Sequence, residues 1–76
     1  MNKERRSKLS KALAFLSNAE QIVDGVLEEE IGTIDNMPEN LENSERYQKM
    51  ESAIENLEEA IDNIGRASQC IEDASE

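Results

Sequence analysis

The chain has no histidine and no tryptophan, and only one cysteine, one proline, one tyrosine and one phenylalanine among its 76 residues. Without histidine, it lacks the commonest general base, the partner of a catalytic cysteine and the usual ligands of zinc and di-iron sites. No phosphate loop, dinucleotide fingerprint or nucleophile elbow occurs either. These absences predict a protein that is not an enzyme and holds no metal or cofactor.

Cys70 is the only cysteine, which excludes an intrachain disulfide. We expect Cys70 to be an inert small packed residue, the other interpretation being a reactive thiol. No long uncharged apolar run and no charged-then-apolar leader is seen. The sequence thus favours a reducing, cytoplasmic setting and no membrane partner.

Two aromatic residues do not build a large mixed core, and no strand pattern is visible, so an aliphatic helical core is favoured. A chain of this length buries a marginal core unless disulfides, metal or oligomerisation assist it. Self-association is the form of assistance that this composition favours.

Charge is unevenly distributed along the chain. The net charge is −10, yet residues 1–11 carry a local balance of +4. An acidic protein is poorly suited to bind nucleic acid in bulk, because that affinity comes from many cationic contacts to phosphate. One small anionic ligand at the basic end remains compatible with this distribution.

Apolar positions in the second half recur at alternating intervals of three and four residues, with an alanine beside them every seventh residue. This spacing predicts a helix over about 44–74 with one continuous stripe that packs on other helices. The stripe consists of Tyr47, Met50, Ile54, Leu57, Ile61, Ile64, Ser68 and Ile71, flanked by Ala53, Ala60, Ala67 and Ala74.

The first half shows the same alternation with a wider apolar surface, which predicts a helix over about 3–34 that buries more than one side. Gly25 is tolerated within it, and Gly32 either ends or loosens it. The pattern consists of Leu9, Ala12, Leu16, Ala19, Val23 and Val26, widened by Leu13, Phe15, Ile22 and Leu27.

A polar connector over about 35–43 separates the two predicted helices. Pro38 disfavours helix at the preceding residue, so the first helix should stop by Asn36. Ser44 suits the N-cap of the second helix, and Glu45 complements the helix dipole. The sequence therefore predicts a single all-α domain, 1–76, a two-helix antiparallel hairpin that assembles into a homo-oligomeric helical bundle, a dimer or a tetramer.

Two polar clusters allow a structural and a functional interpretation. The basic opening either pairs with the acidic second helix of the same or another subunit, or uses Arg5 and Arg6 as forked donors to phosphate oxygens. In the second cluster, Arg46 and Tyr47 start a helix whose free amides favour anions. Tyr47 either stacks on a base or simply begins the apolar stripe.

Over most of its length, the chain resembles short acidic helical-hairpin proteins encoded by bacteriophages, and among these the anti-CBASS sponge proteins. That family sequesters cyclic-dinucleotide signals of bacterial cyclic-oligonucleotide-based antiviral signalling. The features that carry the resemblance are the opening Lys3-Glu4-Arg5-Arg6, the connector Asp35-Asn36-Met37-Pro38-Glu39-Asn40-Leu41, the turn Ser44-Glu45-Arg46-Tyr47 followed by Met50, and Ala-Ile-Glu-Asn-Leu heptads.

The resemblance implies a viral immune-evasion protein in the cytoplasm of an infected bacterium, binding its ligand without turnover. A homotetramer would hold the cyclic dinucleotide where subunits meet, because the ligand's near-twofold symmetry suits a symmetric interface. The implied ligand-binding residues are Arg5, Arg6 and Arg46 for phosphates, Tyr47 for a base face, and Asn36, Asn40 and Ser44 for base edges.

Within one hairpin, the basic opening lies roughly 40 Å from the connector for helices of this length. Only an antiparallel neighbour would bring Arg5 or Arg6 to Ser44. Two other functions fit the sequence. The carboxylates along residues 51–76 suit an acidic coiled-coil module that inhibits a host protein, and a purely structural accessory protein would need neither ligand nor target.

Overall fold

The computed structural model of the protein describes residues 1–41 and 44–76. Two long helices, α1 (Lys3–Asp35) and α2 (Glu45–Ala74), are joined through a short 3₁₀ turn at Glu39–Leu41. They pack side by side as an antiparallel hairpin with principal extents of 59 × 15 × 13 Å. The described residues contain no strand, which confirms the predicted all-α hairpin. The last positions of the expected connector, 42–43, lie outside the described residues.

Both helices begin at side-chain caps. The Asn2 side-chain oxygen accepts from the Arg5 amide at 2.8 Å, and the Ser44 hydroxyl oxygen accepts from the Tyr47 amide at 3.1 Å, which confirms the predicted cap of α2. Asn36 is the C-cap of α1, as expected from Pro38 two residues later. Gly32 does not end α1, because the helix continues to Asp35.

The apolar stripe of α2 is covered by α1. Each of its eight positions is buried or half-buried, whereas the carboxylates between them are exposed. The prediction that this stripe packs on another helix is therefore confirmed, and the helix it packs on is α1 of the same chain.

The core of the hairpin is thin. Leu27 is 8% exposed and Met50 9%, and they are the buried hydrophobic residues of the described chain. Two helices meet along one line, so every other residue of the contact keeps part of its surface in water. A single hairpin therefore buries little apolar area for its length.

The wider apolar surface of α1 is only partly used in the hairpin. Its side that faces α2 is half-buried, but Phe15 remains 73% exposed, Ile22 68% and Val26 44%. The expectation that α1 buries more than one side is therefore not met within one chain.

Candidate functional site

The predicted ligand residues occupy opposite ends of the rod. The first group lies in the first turn of α1, beside the C-terminal end of α2, and the second lies around the connector and the start of α2. A single chain does not bring the two groups together, because the rod is 59 Å long. The first group is Arg5 and Arg6; the second is Asn36, Asn40, Ser44, Arg46 and Tyr47.

Arg6 is bound to the end of α2. Its Nε donates to the carbonyl oxygen of Ser75 at 3.1 Å and its Nη2 donates to that of Glu76 at 3.4 Å. The carbonyls at a helix C-terminus carry partial negative charge, so a guanidinium is well placed there. Arg6 therefore contacts the second helix of the same chain, as the structural interpretation of the basic opening expects, but through backbone carbonyl oxygens and not through a carboxylate.

Arg5 differs from its neighbour. Its backbone amide is held by Asn2, but within the described part of the chain no group forms a hydrogen bond or ion pair with its guanidinium. The ion pairs found over residues 1–41 and 44–76 are Lys8–Glu4 at 3.6 Å and Lys49–Glu45 at 3.3 Å, each within one helix. The basic end thus makes no described salt bridge to α2, and Arg5 presents an exposed forked donor.

At the connector end, backbone groups are largely occupied by local structure. The Ser44 amide donates to the carbonyl oxygen of Leu41 at 3.0 Å, and the Ser44 carbonyl oxygen accepts from the Gln48 amide at 3.1 Å. The Asn36 amide donates to the carbonyl oxygen of Gly32 at 3.2 Å. These bonds therefore engage backbone groups at the end of α1 and at the start of α2.

The side chains at this end divide into exposed polar groups and one half-buried ring. Asn36, Asn40 and Arg46 are exposed, so their amide and guanidinium groups are accessible to a ligand. Tyr47 is half-buried at the head of the stripe, which fits both its packing and its stacking interpretation. The Ser44 hydroxyl oxygen accepts from a backbone amide, while its O–H keeps its capacity to donate.

Two grooves among the described residues lie at mid-rod. One is a shallow depression of about 510 Å³ that includes Glu20, Ile61, Asp62 and Arg66, and the other, beside it and about 290 Å³, includes Asp24. Neither groove is lined by a predicted ligand residue. Their carboxylates disfavour an anionic ligand, and Arg66 is already bonded to Asn63.

Cys70 is exposed, so the expectation of a packed filler is wrong. Over residues 1–41 and 44–76, no three acidic or cysteine side chains converge in a way that would hold a metal ion. Neither helix, across the same residues, has an apolar segment of the length that crosses a bilayer.

The placement of the predicted residues is thus an exposed guanidinium at one end of the rod and an exposed polar cluster with a half-buried tyrosine at the other. No protein-family model, curated protein or solved structure matches this chain. The functional assignment therefore depends on these residues and their placement.

Proposed function

We propose that this protein is an immune-evasion protein of the phage anti-CBASS sponge type. It sequesters a cyclic dinucleotide, without turnover, in a pocket formed between subunits of a homo-oligomer in the cytoplasm of the infected bacterium. The observation that carries the proposal is the division of the exposed ligand-type groups between the two ends of the rod. A ligand that uses both groups has to sit between chains.

The side chains supply the chemistry that a cyclic dinucleotide requires. Arg5 and Arg46 offer forked donors to the phosphate oxygens, and such charge-assisted contacts are stronger than neutral hydrogen bonds. Asn36 and Asn40 offer amides that both donate to and accept from base edges. The half-buried Tyr47 supplies a ring of the type that stacks on a base, and Arg6 adds positive charge next to Arg5.

The symmetry of the ligand supports a shared pocket. A cyclic dinucleotide carries two phosphates and two bases related by a near-twofold axis, and a homo-oligomer of closed symmetry presents each residue twice across such an axis. Storage without reaction fits the residue types, since none of the seven proposed ligand residues is a histidine, a cysteine or a carboxylate.

Isothermal titration calorimetry of the purified protein with a panel of cyclic dinucleotides tests this function. We expect at least one to bind in the micromolar range or tighter, and a linear dinucleotide of the same bases to bind more weakly. The ligand should be recovered unchanged by chromatography after the complex is denatured, which separates storage from hydrolysis. No binding at tens of micromolar, about 6 kcal/mol of affinity, would contradict the proposal.

A second candidate function is an acidic coiled-coil module that inhibits a host protein by imitating the charge of nucleic acid. The observation that favours it is a run of carboxylates that the hairpin leaves exposed along α2. It predicts a host partner whose affinity falls steeply with salt and does not respond to cyclic dinucleotides. Within residues 51–74 of α2, the exposed carboxylates are those of Glu51, Glu55, Glu58, Glu59, Asp62, Glu72 and Asp73.

A further inference from the structure

One apolar face of the hairpin is left without a partner, and it belongs to α1 alone. Phe15, Ile22 and Val26 are 73%, 68% and 44% exposed, although they lie in the middle of a 33-residue helix. Every large hydrophobic side chain that stands exposed among the described residues lies within residues 1–41. Helix α2 has no such face, so α1 is the helix that remains to be covered.

This face follows a second heptad seam along α1. Its members recur at alternating intervals of four and three residues, the spacing that lets one helix pack along another. The first seam, which contains Leu9, Leu16, Val23 and Leu27, is already occupied by α2. The second seam consists of Lys8, Ala12, Phe15, Ala19, Ile22, Val26, Glu29 and Thr33.

We infer that the second seam is the surface on which a second copy of this chain packs, with the two α1 helices antiparallel. The seam is complementary to itself in that orientation, because residue i of one copy then lies level with residue 41 − i of the other. Phe15 meets Val26, and Ala19 meets Ile22, so a small side chain lies opposite a large one at the centre. A closed twofold dimer requires such a self-complementary surface.

Charge selects the antiparallel orientation. The seam is basic at its start, around Lys8 and Lys11, and acidic at its end, around Glu29 and Glu30. In antiparallel packing, Lys11 of one copy lies level with residue 30 of the other, which is one residue from Glu29. The two charged side chains lie on the same edge of the seam. Parallel packing would place lysine beside lysine and glutamate beside glutamate, and such like-charge pairs oppose association.

The overlap of the two helices sets the area that the pair buries. In the register of i with 41 − i, residues 6–35 of the two α1 helices overlap over about 45 Å, and a packing face about 10 Å wide then offers roughly 450 Å² on each copy. The two copies together cover roughly 900 Å², at the lower limit of the size expected of a specific interface. Leu27 and Met50 alone form the buried core of the single described chain, so the second copy supplies burial that the hairpin lacks.

This pairing also completes the proposed site. Arg5 of one copy comes level with Asn36 of the other, so the basic end and the connector adjoin at each end of the dimer. Two equivalent sites result, each with residues from both copies. The inference deepens the proposed homo-oligomer and does not depend on the identity of the ligand.

Cysteine cross-linking tests the orientation. Phe15→Cys and Val26→Cys are prepared separately in a Cys70→Ser background, since Cys70 is exposed and would cross-link by itself. We expect a short bismaleimide to cross-link the two variants when they are mixed and neither variant alone. Neither variant alone should react, because residue 15 of one copy is level with residue 26 of the other. The two copies of residue 15 are therefore 11 residues apart along the helix axis, about 16 Å at about 1.5 Å per residue. Cross-linking of each variant with itself would show parallel packing and overturn the inference.

Charge reversal gives an independent measurement that needs no cross-linking reagent. Lys11→Glu and Glu29→Lys should each reduce the dimeric fraction in light scattering, and the double variant should restore it. Phe15→Asp should lower the mass toward the 8.6 kDa monomer with its helical circular dichroism retained, because Phe15 is exposed in the hairpin. Gln21→Asp is the matched control, since Gln21 is exposed on another side of α1 and should leave the mass unchanged.

The outcomes separate this inference from the proposed function. A monomer at micromolar concentration, or an oligomer that the mixed cysteine variants do not cross-link, would overturn the inference. Cross-linking in the mixture without any calorimetric response to cyclic dinucleotides would uphold the interface and contradict the sponge. Nucleotide binding without this cross-linking would uphold the sponge and place its subunit contact on another surface.

Discussion

The guanidinium of Arg6 donates to the carbonyl oxygen of Ser75 at 3.1 Å, across 69 residues of chain. A second bond to the carbonyl oxygen of Glu76 at 3.4 Å extends the contact. Together they join the first turn of α1 to the end of α2, at the end of the rod that has no connector. The two neighbouring arginines therefore differ, since Arg6 is bound within the hairpin and the guanidinium of Arg5 has no described partner.

Arg6→Ala should loosen this end of the hairpin. We expect the free energy of unfolding to fall by about 0.3–1 kcal/mol, the range for an exposed cation at a helix C-terminus, and amide exchange to accelerate in the last turn of α2. Urea unfolding and hydrogen exchange measure the two effects. Arg5→Ala removes the same charge from the adjacent position and should leave both unchanged. An equal effect of the two variants would show that general charge, not the bond to Ser75, is responsible.

Ligand affinity should depend on Arg5 and Arg46 without a matching change in stability. Loss of either guanidinium should weaken cyclic-dinucleotide binding by about 1.5–3 kcal/mol for each charge-assisted contact removed, roughly 10- to 150-fold. Calorimetry on Arg5→Ala and Arg46→Ala, with oligomer mass measured in parallel, checks this. Arg66→Ala is the control, because Arg66 is bonded to Asn63 at mid-rod. Unchanged affinity in both single variants would remove these arginines from the site.

Two substitutions distinguish whether Tyr47 stacks on a base or only packs at the head of the stripe. Tyr47→Leu keeps an apolar side chain at the head of the stripe and removes the ring, whereas Tyr47→Phe keeps the ring and removes the hydroxyl. If the ring stacks on a base, we expect the leucine variant to lose about 1–3 kcal/mol of binding while it stays assembled. The phenylalanine variant should then retain most of the affinity. A leucine variant that binds as well as the parent would assign Tyr47 to packing alone.

Ile61→Asp should destabilise the hairpin itself. Ile61 is half-buried in the stripe of α2, and the substitution replaces its packing on α1 with a partly desolvated carboxylate. We expect a loss of about 2–4 kcal/mol, enough to unfold or dissociate a protein with so thin a core, visible in thermal circular dichroism and light scattering. Asn56→Asp adds the same charge at an exposed position of α2 and serves as control. A folded, assembled Ile61→Asp variant would show that the stripe is not essential to the core.

The fold was largely predictable because its determinants are local. The caps at Asn36 and Ser44 depend on a proline two residues later and on a side-chain hydroxyl. The stripe of α2 follows from a 3.6-residue period that repeats over about seven turns. Gly32 was ambiguous because a glycine near a helix end is either a terminator or a tolerated interior residue, and the hydrogen bonds on either side decide between them.

The candidate site was less predictable, since its geometry depends on contacts distant in sequence. The residue types at the two ends of the rod indicate which class of ligand they could bind. The hydrogen bond between Arg6 and Ser75, in contrast, depends on how far the two helices overlap. The same limit explains Cys70, which lies one residue from the stripe in sequence and is nevertheless exposed in the hairpin. The spacing of apolar residues in the sequence does not by itself predict how wide the contact between two helices is.

The sequence by itself determined two amphipathic helices, their caps and the charge difference between the basic opening and the acidic remainder, because each of these is a property of neighbouring residues. Only the tertiary structure decided which apolar residues the hairpin covers. One helix contacts one line of its neighbour, so α2 took the side of α1 that holds Leu27 and left Phe15 and Ile22 in water. The division of the candidate ligand residues between opposite ends likewise follows from the antiparallel packing of two rigid helices.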